Sequence, residues 1–301
     1  MWLTVALLGF TISAIVGILD KFIISKSEVR PIVFTFYSSI FVLPILLLLP
    51  FGVAFPSRAI DWLIFVVAGF GFALGLWVMY LGFKKSEISH IGPLVGAATA
   101  FFVLILSNLF LPENLGVYKL IAIFVLIIGS LVISFEYSPE HNGLHTGMLL
   151  GIISGLLFAI SHVASKYAYD VYGFYSGFVW TRSFLGVFGI LLLAFPGVRA
   201  LFYKKKTGAV VKEVKQTVLV CWDKILGVFG LVLIQYAIAL GSVTLVNALA
   251  GVQFAILIIF VALLSKFFPK IFKEEYMGRE IIQEFFAVVL IAGGLALMLI
   301  K

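Results

Sequence analysis

Two ionisable side chains, His162 and Arg182, lie well inside long apolar segments of the sequence. Such groups are costly in hydrocarbon and usually face a cavity or a partner. An arginine is a permanent, fork-shaped cation that can hold a carboxylate or phosphate, or it can donate to carbonyl groups of neighbouring helices. A histidine can relay protons near physiological pH, or it can remain neutral and bond a neighbouring helix. Both alternatives stay open for each residue.

Uncharged polar and aromatic side chains in the same segments are predicted to complete a substrate-binding cavity. An amide in mid-membrane needs a partner, which another helix or a ligand can supply. Each residue alone is also compatible with packing or interfacial anchoring, so the prediction depends on the set. Besides Arg182 and His162, the predicted binding residues are Tyr37, Trp77, Tyr80, Trp180, Gln235, Tyr236, Asn247 and Gln253.

The sequence lacks the motifs of common enzymes and metal centres. It has no phosphate-binding loop, HExxH motif or cysteine–histidine cluster with metal spacing, so no catalytic residue, metal or cofactor is predicted. Asp20, Glu113 and Glu136 lie near segment ends and none occupies a segment centre. This disfavours an exporter that exchanges a cationic drug for a proton at a buried carboxylate. The single cysteine, Cys221, excludes an intrachain disulfide.

Composition indicates an all-α membrane protein. The 301 residues are 63% hydrophobic and 12% charged, whereas soluble domains are about half apolar and a quarter charged. The net charge of +7 does not indicate nucleic acid, because the basic residues lie in short connections. Helices are predicted because lipid offers no partner to an open backbone. Ten spans are predicted, at residues 2–23, 32–51, 61–83, 88–111, 116–135, 146–168, 174–196, 219–241, 243–267 and 279–300.

The second half of the chain repeats the first. The stretch YLGFKKS at 80–86 corresponds to YAIALGS at 236–242, an offset of 156 residues. Five spans in each half is an odd number, so the second copy must enter the membrane from the opposite side. We therefore expect two inverted five-helix repeats, residues 1–140 and 141–301, with a binding site between them.

The distribution of basic residues predicts the orientation. The connections after the odd-numbered spans carry 16 lysine and arginine residues, and the opposite face carries four. Cytoplasmic loops are enriched in these residues, so both termini are predicted to lie outside the cell membrane. Asp20 with Lys21, and Ser165 with Lys166, end the first and sixth spans. These pairs can act as gates with other loop charges, or they can be solvated helix ends.

The five-span repeat, the tyrosine-to-serine element and the stretch LPENLGVYKLIAIFVLIIGSLVI at 111–133 together resemble the drug/metabolite transporter superfamily, in particular its ten-helix EamA-type branch. Members share an aromatic–small pattern ending helix 3, a proline in helix 4, a Glu-Xaa-Leu motif opening helix 5 and an arginine in the second helix of a half. The matching residues are Tyr80, Gly82, Pro93, Glu113, Leu115 and Arg182. Three features depart from the family. Tyr37 stands at the repeat position of Arg182, at the offset of 145 residues that relates the earlier parts of the two halves. The second half lacks a compact counterpart of Pro112-Glu113, and many relatives have cytoplasmic termini.

The resemblance implies a secondary transporter that moves a small metabolite by alternating access of its two bundles. Arg182 favours an anionic or zwitterionic substrate, such as an amino-acid-like compound. The alternatives are a nucleotide-sugar-type carrier of the same superfamily, a membrane-embedded lipid-modifying enzyme and a non-transporting scaffold. The expected partners are the small-molecule substrate and membrane lipid, with no nucleic acid, and the expected state is a monomer or homodimer.

The predicted orientation can be tested by cysteine labelling. Single cysteines, Ser57→Cys and Thr207→Cys, are placed in a Cys221→Ser background. Because positions 57 and 207 follow the second and seventh spans, an impermeant thiol reagent added to intact cells should label position 57 and leave position 207 unlabelled until the cells are opened. The reverse pattern would contradict the charge-based orientation.

Overall fold

The computed structural model describes residues 1–26, 30–85, 88–111, 113–134, 146–203, 210–267 and 278–300. These residues are almost entirely helical, and no β-strand occurs among them, which confirms the predicted all-α membrane protein. The joint between the predicted repeats and the connection at 204–209 lie outside the described residues. Ser86, Pro112 and Glu136, named in the sequence patterns above, also lie outside them.

The helices closely follow the predicted spans. The α-helices are α1 (Trp2–Lys26), α2 (Pro31–Ile40), α3 (Ala59–Phe83), α4 (Ile88–Phe110), α5 (Val117–Ser134), α6 (Thr146–Leu191), α7 (Pro196–Tyr203), α8 (Val210–Leu240), α9 (Val243–Ala248), α10 (Ala250–Phe267) and α11 (Gly278–Met298). Short 3₁₀ helices at Leu43–Leu48 and Leu192–Ala194 continue α2 and α6.

Eight segments of the described chain are long and apolar enough to cross a membrane. One of them, Thr146–Ala194, spans 49 residues and contains a break at Gly173, whose φ of 73° is disfavoured for residues that carry a Cβ atom. The apolar helix Ile282–Met298 is shorter than the eight. The count of ten spans stays a prediction, since it requires the two parts of α6 to cross separately and the shorter helix to cross as well.

Two predicted spans are not continuous α-helices. The span predicted at 32–51 leaves α-helical geometry after Ile40 and continues as the 3₁₀ helix that contains Pro44. Proline has no N–H to donate and its ring clashes with the preceding turn, so it disrupts α-helical hydrogen bonding. The span predicted at 243–267 is divided at Leu249 into α9 and α10.

Helix α6 is the centre of the packing. It contacts α3 and α4 extensively, while α1 packs on α8 and α5 packs on α11. Two buried serines fix its register against α3: Ser154 donates to the Gly75 carbonyl at 2.8 Å, and Ser161 donates to the Ala68 carbonyl at 2.6 Å. Since the α6 numbers rise as the α3 numbers fall, these helices are antiparallel.

Glycines allow this close approach. A Cβ atom on Gly69 would lie 2.6 Å from both the Leu185 amide nitrogen and the Phe184 Cβ. On Gly155, a Cβ atom would lie 2.5 Å from the Ala98 Cβ on α4. Small residues bring helix backbones together in lipid, where van der Waals packing replaces the hydrophobic effect as a driving force.

The α3–α6 contact predicts a strong effect of a single methyl group. Gly69→Ala should destabilise the protein by about 1–3 kcal/mol, because its Cβ would displace α6 backbone. The matched control is Gly293→Ala in α11, where no atom lies within 4 Å of the added Cβ and alanine is the better helix former. Thermal unfolding in detergent compares the variants; a Gly69→Ala protein as stable as Gly293→Ala would contradict the close packing.

Candidate functional site

One face of α6 carries a row of buried polar side chains. His162, Ser165 and Tyr169 are spaced by three and four residues, the spacing that places side chains on one face of a helix. They are 8%, 0% and 4% exposed. Two further residues, Arg182 from the part of α6 after Gly173 and Gln235 from α8, join them through hydrogen bonds. We call these five residues the central cluster.

A directed chain of hydrogen bonds crosses the central cluster. The Tyr169 hydroxyl donates to Gln235 Oε1 at 2.8 Å. The amide nitrogen of the same glutamine lies 3.1 Å from His162 Nδ1. Because this nitrogen can only donate, His162 Nδ1 must accept, and the imidazole is neutral in this arrangement. His162 therefore matches the second role considered from the sequence, that of a neutral histidine bonded to a neighbouring helix.

Arg182 is fully buried and incompletely bonded. Its Nη2 donates to Ser165 Oγ at 3.2 Å, while Nε and Nη1 have no hydrogen-bond partner. The guanidinium carbon lies 4.8 Å from the Phe72 ring centre and 5.8 Å from that of Phe178. Among the described residues, no carboxylate forms an ion pair with it, and none of its hydrogen bonds reaches a backbone carbonyl.

The arrangement around Arg182 can hold a small anion. A guanidinium offers two forks to a carboxylate, Nε with Nη2 and Nη1 with Nη2. At Arg182 each fork therefore combines one unpaired nitrogen with the nitrogen that also donates to Ser165. The two phenylalanine rings near the cation carry no oxygen or nitrogen that could accept a hydrogen bond from these forks. The role of an anchor for helix carbonyls, considered from the sequence, has no bond to support it in the described chain.

The other predicted residues are distributed around the central cluster. Tyr236 packs on Phe174 with ring centres 4.9 Å apart, and Phe174 in turn packs on Phe178 beside Arg182. Tyr37 and Trp77 each pack against an apolar cluster between α2, α3 and α6. No hydrogen bond in the described chain joins any of these three residues to the central cluster.

Four predicted residues lie elsewhere. Tyr80 shares a 3.2 Å hydrogen bond with a serine of α2, and Trp180 donates to the Ala54 carbonyl at 2.8 Å. Asn247 donates to the Val243 carbonyl one turn before it, at 2.8 Å. Gln253 reaches the Ser13 carbonyl at 3.5 Å, which links α10 to α1. All four have partners of their own, so the structure does not join them to the central cluster.

A buried carboxylate links the start of α3 to α6 through hydrogen bonds. Asp61 is 0% exposed and accepts hydrogen bonds from Arg58 Nε at 3.0 Å, Tyr167 at 3.0 Å and Tyr172 at 2.5 Å. The hydrogen bond to Asp61 raises the pKa of the Arg58 guanidinium above its ordinary value. We call these four residues the Asp61 network.

A second group of charges joins α1 to α8. Lys224 Nζ lies 3.3 Å from Asp20 Oδ1 and 2.7 Å from Asp223 Oδ2. The ammonium also lies 3.6 Å from the ring centre of Phe34 on α2, and that ring packs edge-on against Tyr80 at 4.8 Å. We call Asp20, Asp223 and Lys224 the acid–lysine triad.

The two charged groups occupy opposite ends of the bundle. Asp61 begins α3, and Tyr80, beside the triad, lies near its other end. The 19 residues between them correspond to roughly 28 Å of helix, close to the thickness of a hydrocarbon core. Phe72, which faces Arg182, lies near the midpoint of this length. The central cluster therefore lies at mid-depth, between two charged contacts.

Sequence reasoning missed several of these residues. Tyr169 follows His162 by seven residues, two turns on the same face, and this spacing was available as a signal. Asp61 and Asp223 lie in the first turns of apolar segments, where a carboxylate resembles an ordinary solvated helix end. Nothing in the sequence singled out Phe72 as a neighbour of Arg182, because phenylalanine is abundant in this chain.

Glu113 connects two parts of the bundle. Its carboxylate accepts from the Ser242 hydroxyl at 3.0 Å, the Val243 amide at 2.8 Å and the Thr244 hydroxyl at 2.6 Å. The acid of the Glu-Xaa-Leu motif therefore ties the connection before α5 to the start of α9. A pocket of about 400 Å³ opens beside it, between the end of α4 and the start of α5.

Comparisons with known proteins agree with this architecture. A search of the curated proteins finds no match. A solved structure described as "Crystal structure of protein" superposes with a TM-score of 0.65 over 98% of this chain and 94% of its own, at 15% identity, which shows a shared fold. Residues 1–135 match the family model described as the EamA-like transporter family. This match confirms the resemblance to the drug/metabolite transporter superfamily over residues 1–135 and supports a membrane transporter. The eight long apolar helices of the described residues indicate a multi-pass membrane protein.

Proposed function

We propose that the protein is a secondary transporter that carries a small anionic or zwitterionic metabolite, held at Arg182 in the central cluster. The observation that carries this proposal is a buried guanidinium with Nε and Nη1 unpaired. A buried cation is strongly destabilising unless it is paired and hydrogen-bonded. A substrate carboxylate would supply the missing charge and an acceptor for one of the unpaired nitrogens, in a fork shared with Nη2.

The rest of the central cluster provides further contacts for the substrate. His162, Gln235 and Tyr169 carry polar atoms beside the guanidinium and can exchange their mutual hydrogen bonds for bonds to a ligand. Phe72 and Phe178 provide apolar surface near the cation. An amino-acid-like compound has the carboxylate, polar group and small apolar portion that such a site would accept.

Alternating access follows from the proposed inverted repeats. If spans 1 and 3 correspond to spans 6 and 8, the twofold axis exchanges the α3–α6 contact with the α1–α8 contact, and both contacts are present. The same axis exchanges the α4–α6 contact with the α1–α10 contact, and both of these contacts are also present. The Asp61 network and the acid–lysine triad lie on these exchanged contacts. In the proposed cycle, they open in turn on opposite sides.

The central cluster requires such a cycle because it is closed in this structure. Arg182 and Gln235 are 0% exposed and His162 is 8% exposed, so a substrate can enter only after helices separate. We place the protein in the cell membrane with both termini external, as the charge bias suggests, and as a monomer or homodimer among lipids. The residues 1–140 and 141–301 would then form the two moving bundles.

The alternative functions find less support in the site. A nucleotide-sugar-type carrier must neutralise a diphosphate, and one central guanidinium provides half of the charge required. A lipid-modifying enzyme needs an activated nucleophile or a metal beside its substrate. In the central cluster, His162 accepts a hydrogen bond from an amide and activates no hydroxyl or thiol.

Arg182 variants test the proposal in proteoliposomes supplied with a panel of radiolabelled amino acids and small carboxylates. Arg182→Lys keeps the charge but loses the fork, so the uptake affinity should fall about tenfold or more, as the loss of one charge-assisted hydrogen bond implies. Arg182→Gln should weaken uptake further. Gln253→Leu, which alters a polar residue outside the central cluster, is the matched control and should retain the wild-type affinity.

Melting temperatures of the same preparations separate binding from folding. Removing an unpaired buried cation should not lower the stability of the substrate-free protein. Well-folded Arg182→Gln with unchanged uptake affinity would exclude the arginine as a binding residue. Poor folding of both variants would instead assign Arg182 a purely structural role.

A further inference from the structure

Within the part of the chain that the structure describes, the acid–lysine triad buries a net negative charge. Two carboxylates, Asp20 and Asp223, share the single ammonium of Lys224, so the ionised group carries a net charge of −1. Their side chains are 13%, 0% and 6% exposed, respectively. A buried ion pair is tolerable when the charges balance and all polar atoms are bonded. Among the described residues one negative charge remains, and neither oxygen of Asp223 has a hydrogen-bond partner, although Oδ2 lies 2.7 Å from the ammonium.

The described groups around the triad offer no second cation. On α2 the ammonium faces the ring of Phe34, and on α3 the ionisable neighbour is Tyr80, whose hydroxyl is engaged with Ser38. On α8 itself, Cys221 and Lys224 are the neighbouring titratable groups. The two carboxyl groups of the triad lie 3.3 Å and 2.7 Å from the same ammonium, across the α1–α8 contact. A pair of acids so placed can share one proton.

We propose that Asp20, Asp223 and Lys224 form a proton-binding site that couples proton movement to transport. The proton binds a carboxylate oxygen of the Asp20–Asp223 pair and reduces the net charge of the triad from −1 to zero. No covalent bond other than this O–H bond forms. Asp20, the most exposed member, is the route by which the proton reaches water. The coupling to transport rests on the proposed function, whereas the binding of a proton by the triad is independent of it.

The location of the site suggests how coupling occurs. Lys224 and Gln235 lie on the same helix, 11 residues apart, which corresponds to about 16 Å. The central cluster carries an unpaired positive charge at Arg182, and the triad carries an unpaired negative charge. Binding of an anionic substrate to the first and a proton to the second leaves both sites neutral. The neutral, doubly occupied protein can then rearrange without an unpaired charge at either site, which is the logic of anion–proton symport.

The Asp61 network provides the internal comparison. Asp61 is equally buried, but it has its own arginine and accepts hydrogen bonds from two tyrosines. The charges of Asp61 and Arg58 cancel, so this carboxylate needs no proton. Two buried acidic sites near opposite ends of the same bundle therefore differ in charge balance, and we expect the proton to bind at the triad and not at Asp61.

Infrared difference spectroscopy tests the proposal on the full-length protein in liposomes, without any substrate. As the pH falls from about 8 to about 5, the wild-type protein should gain the C=O stretching band of a protonated carboxyl group. The band should be lost in Asp20→Asn or Asp223→Asn and retained in Asp61→Asn. In Lys224→Gln, where two carboxylates face each other without the cation, its midpoint should move to higher pH by about one unit or more.

The proposal is overturned if the wild-type protein shows no such band, if the band survives in both Asp20→Asn and Asp223→Asn, or if Asp61→Asn removes it. Thermal unfolding of each variant identifies folded samples, and two separate asparagine variants keep the test decisive if one of them fails to fold. Uptake of the metabolite panel with and without an inward proton gradient is measured separately. Uptake without the infrared band would reject the proton site but not the transport function. The infrared band without uptake would support the proton site and count against the transport function.

Discussion

The cost of burying charge in a membrane is the constraint on which this structure depends. Arg182 lies at mid-depth with a serine and two aromatic rings as its neighbours, and no carboxylate in the described chain neutralises it. A protein can maintain such a group only if the surrounding helices are packed well enough to hold it, or if a ligand completes the site. The central cluster combines both conditions, because its other polar side chains are bonded to each other while Nε and Nη1 of Arg182 have no partner.

Close helix packing makes this arrangement possible. Gly69 and Gly155 let α3 and α4 approach the backbone of α6, and the serines of α6 then reach carbonyl groups on α3 directly. Helices held at this separation can exclude both lipid and water from a polar site. The same packing means that a substrate cannot enter without a movement of whole helices, which is consistent with a transporter that opens at one end at a time.

Charge balance distinguishes the two ends of the bundle. The Asp61 network is a neutral, fully bonded contact, suited to hold α3 against α6 until helices move. The acid–lysine triad holds α1 against α8 with one negative charge in excess, which makes the strength of that contact sensitive to a bound proton. Two contacts that occupy exchanged positions in the proposed repeat therefore differ in chemistry, and such a difference can give a transport cycle its direction.

The sequence by itself determined the membrane class, the approximate position of most helices and the family resemblance, because hydropathy, breakers and repeats are local properties of the chain. It also singled out Arg182 and His162, since an ionisable residue inside an apolar segment is conspicuous. The tertiary structure decided which partners these residues have, joining Gln235 and Tyr169 to them while placing Trp180 and Gln253 elsewhere. It also paired Asp223 and Lys224 with Asp20, about 200 residues away in the chain. Partners of this kind depend on the rotation and depth of separate helices, which small residues and long-range packing set and which no local pattern encodes.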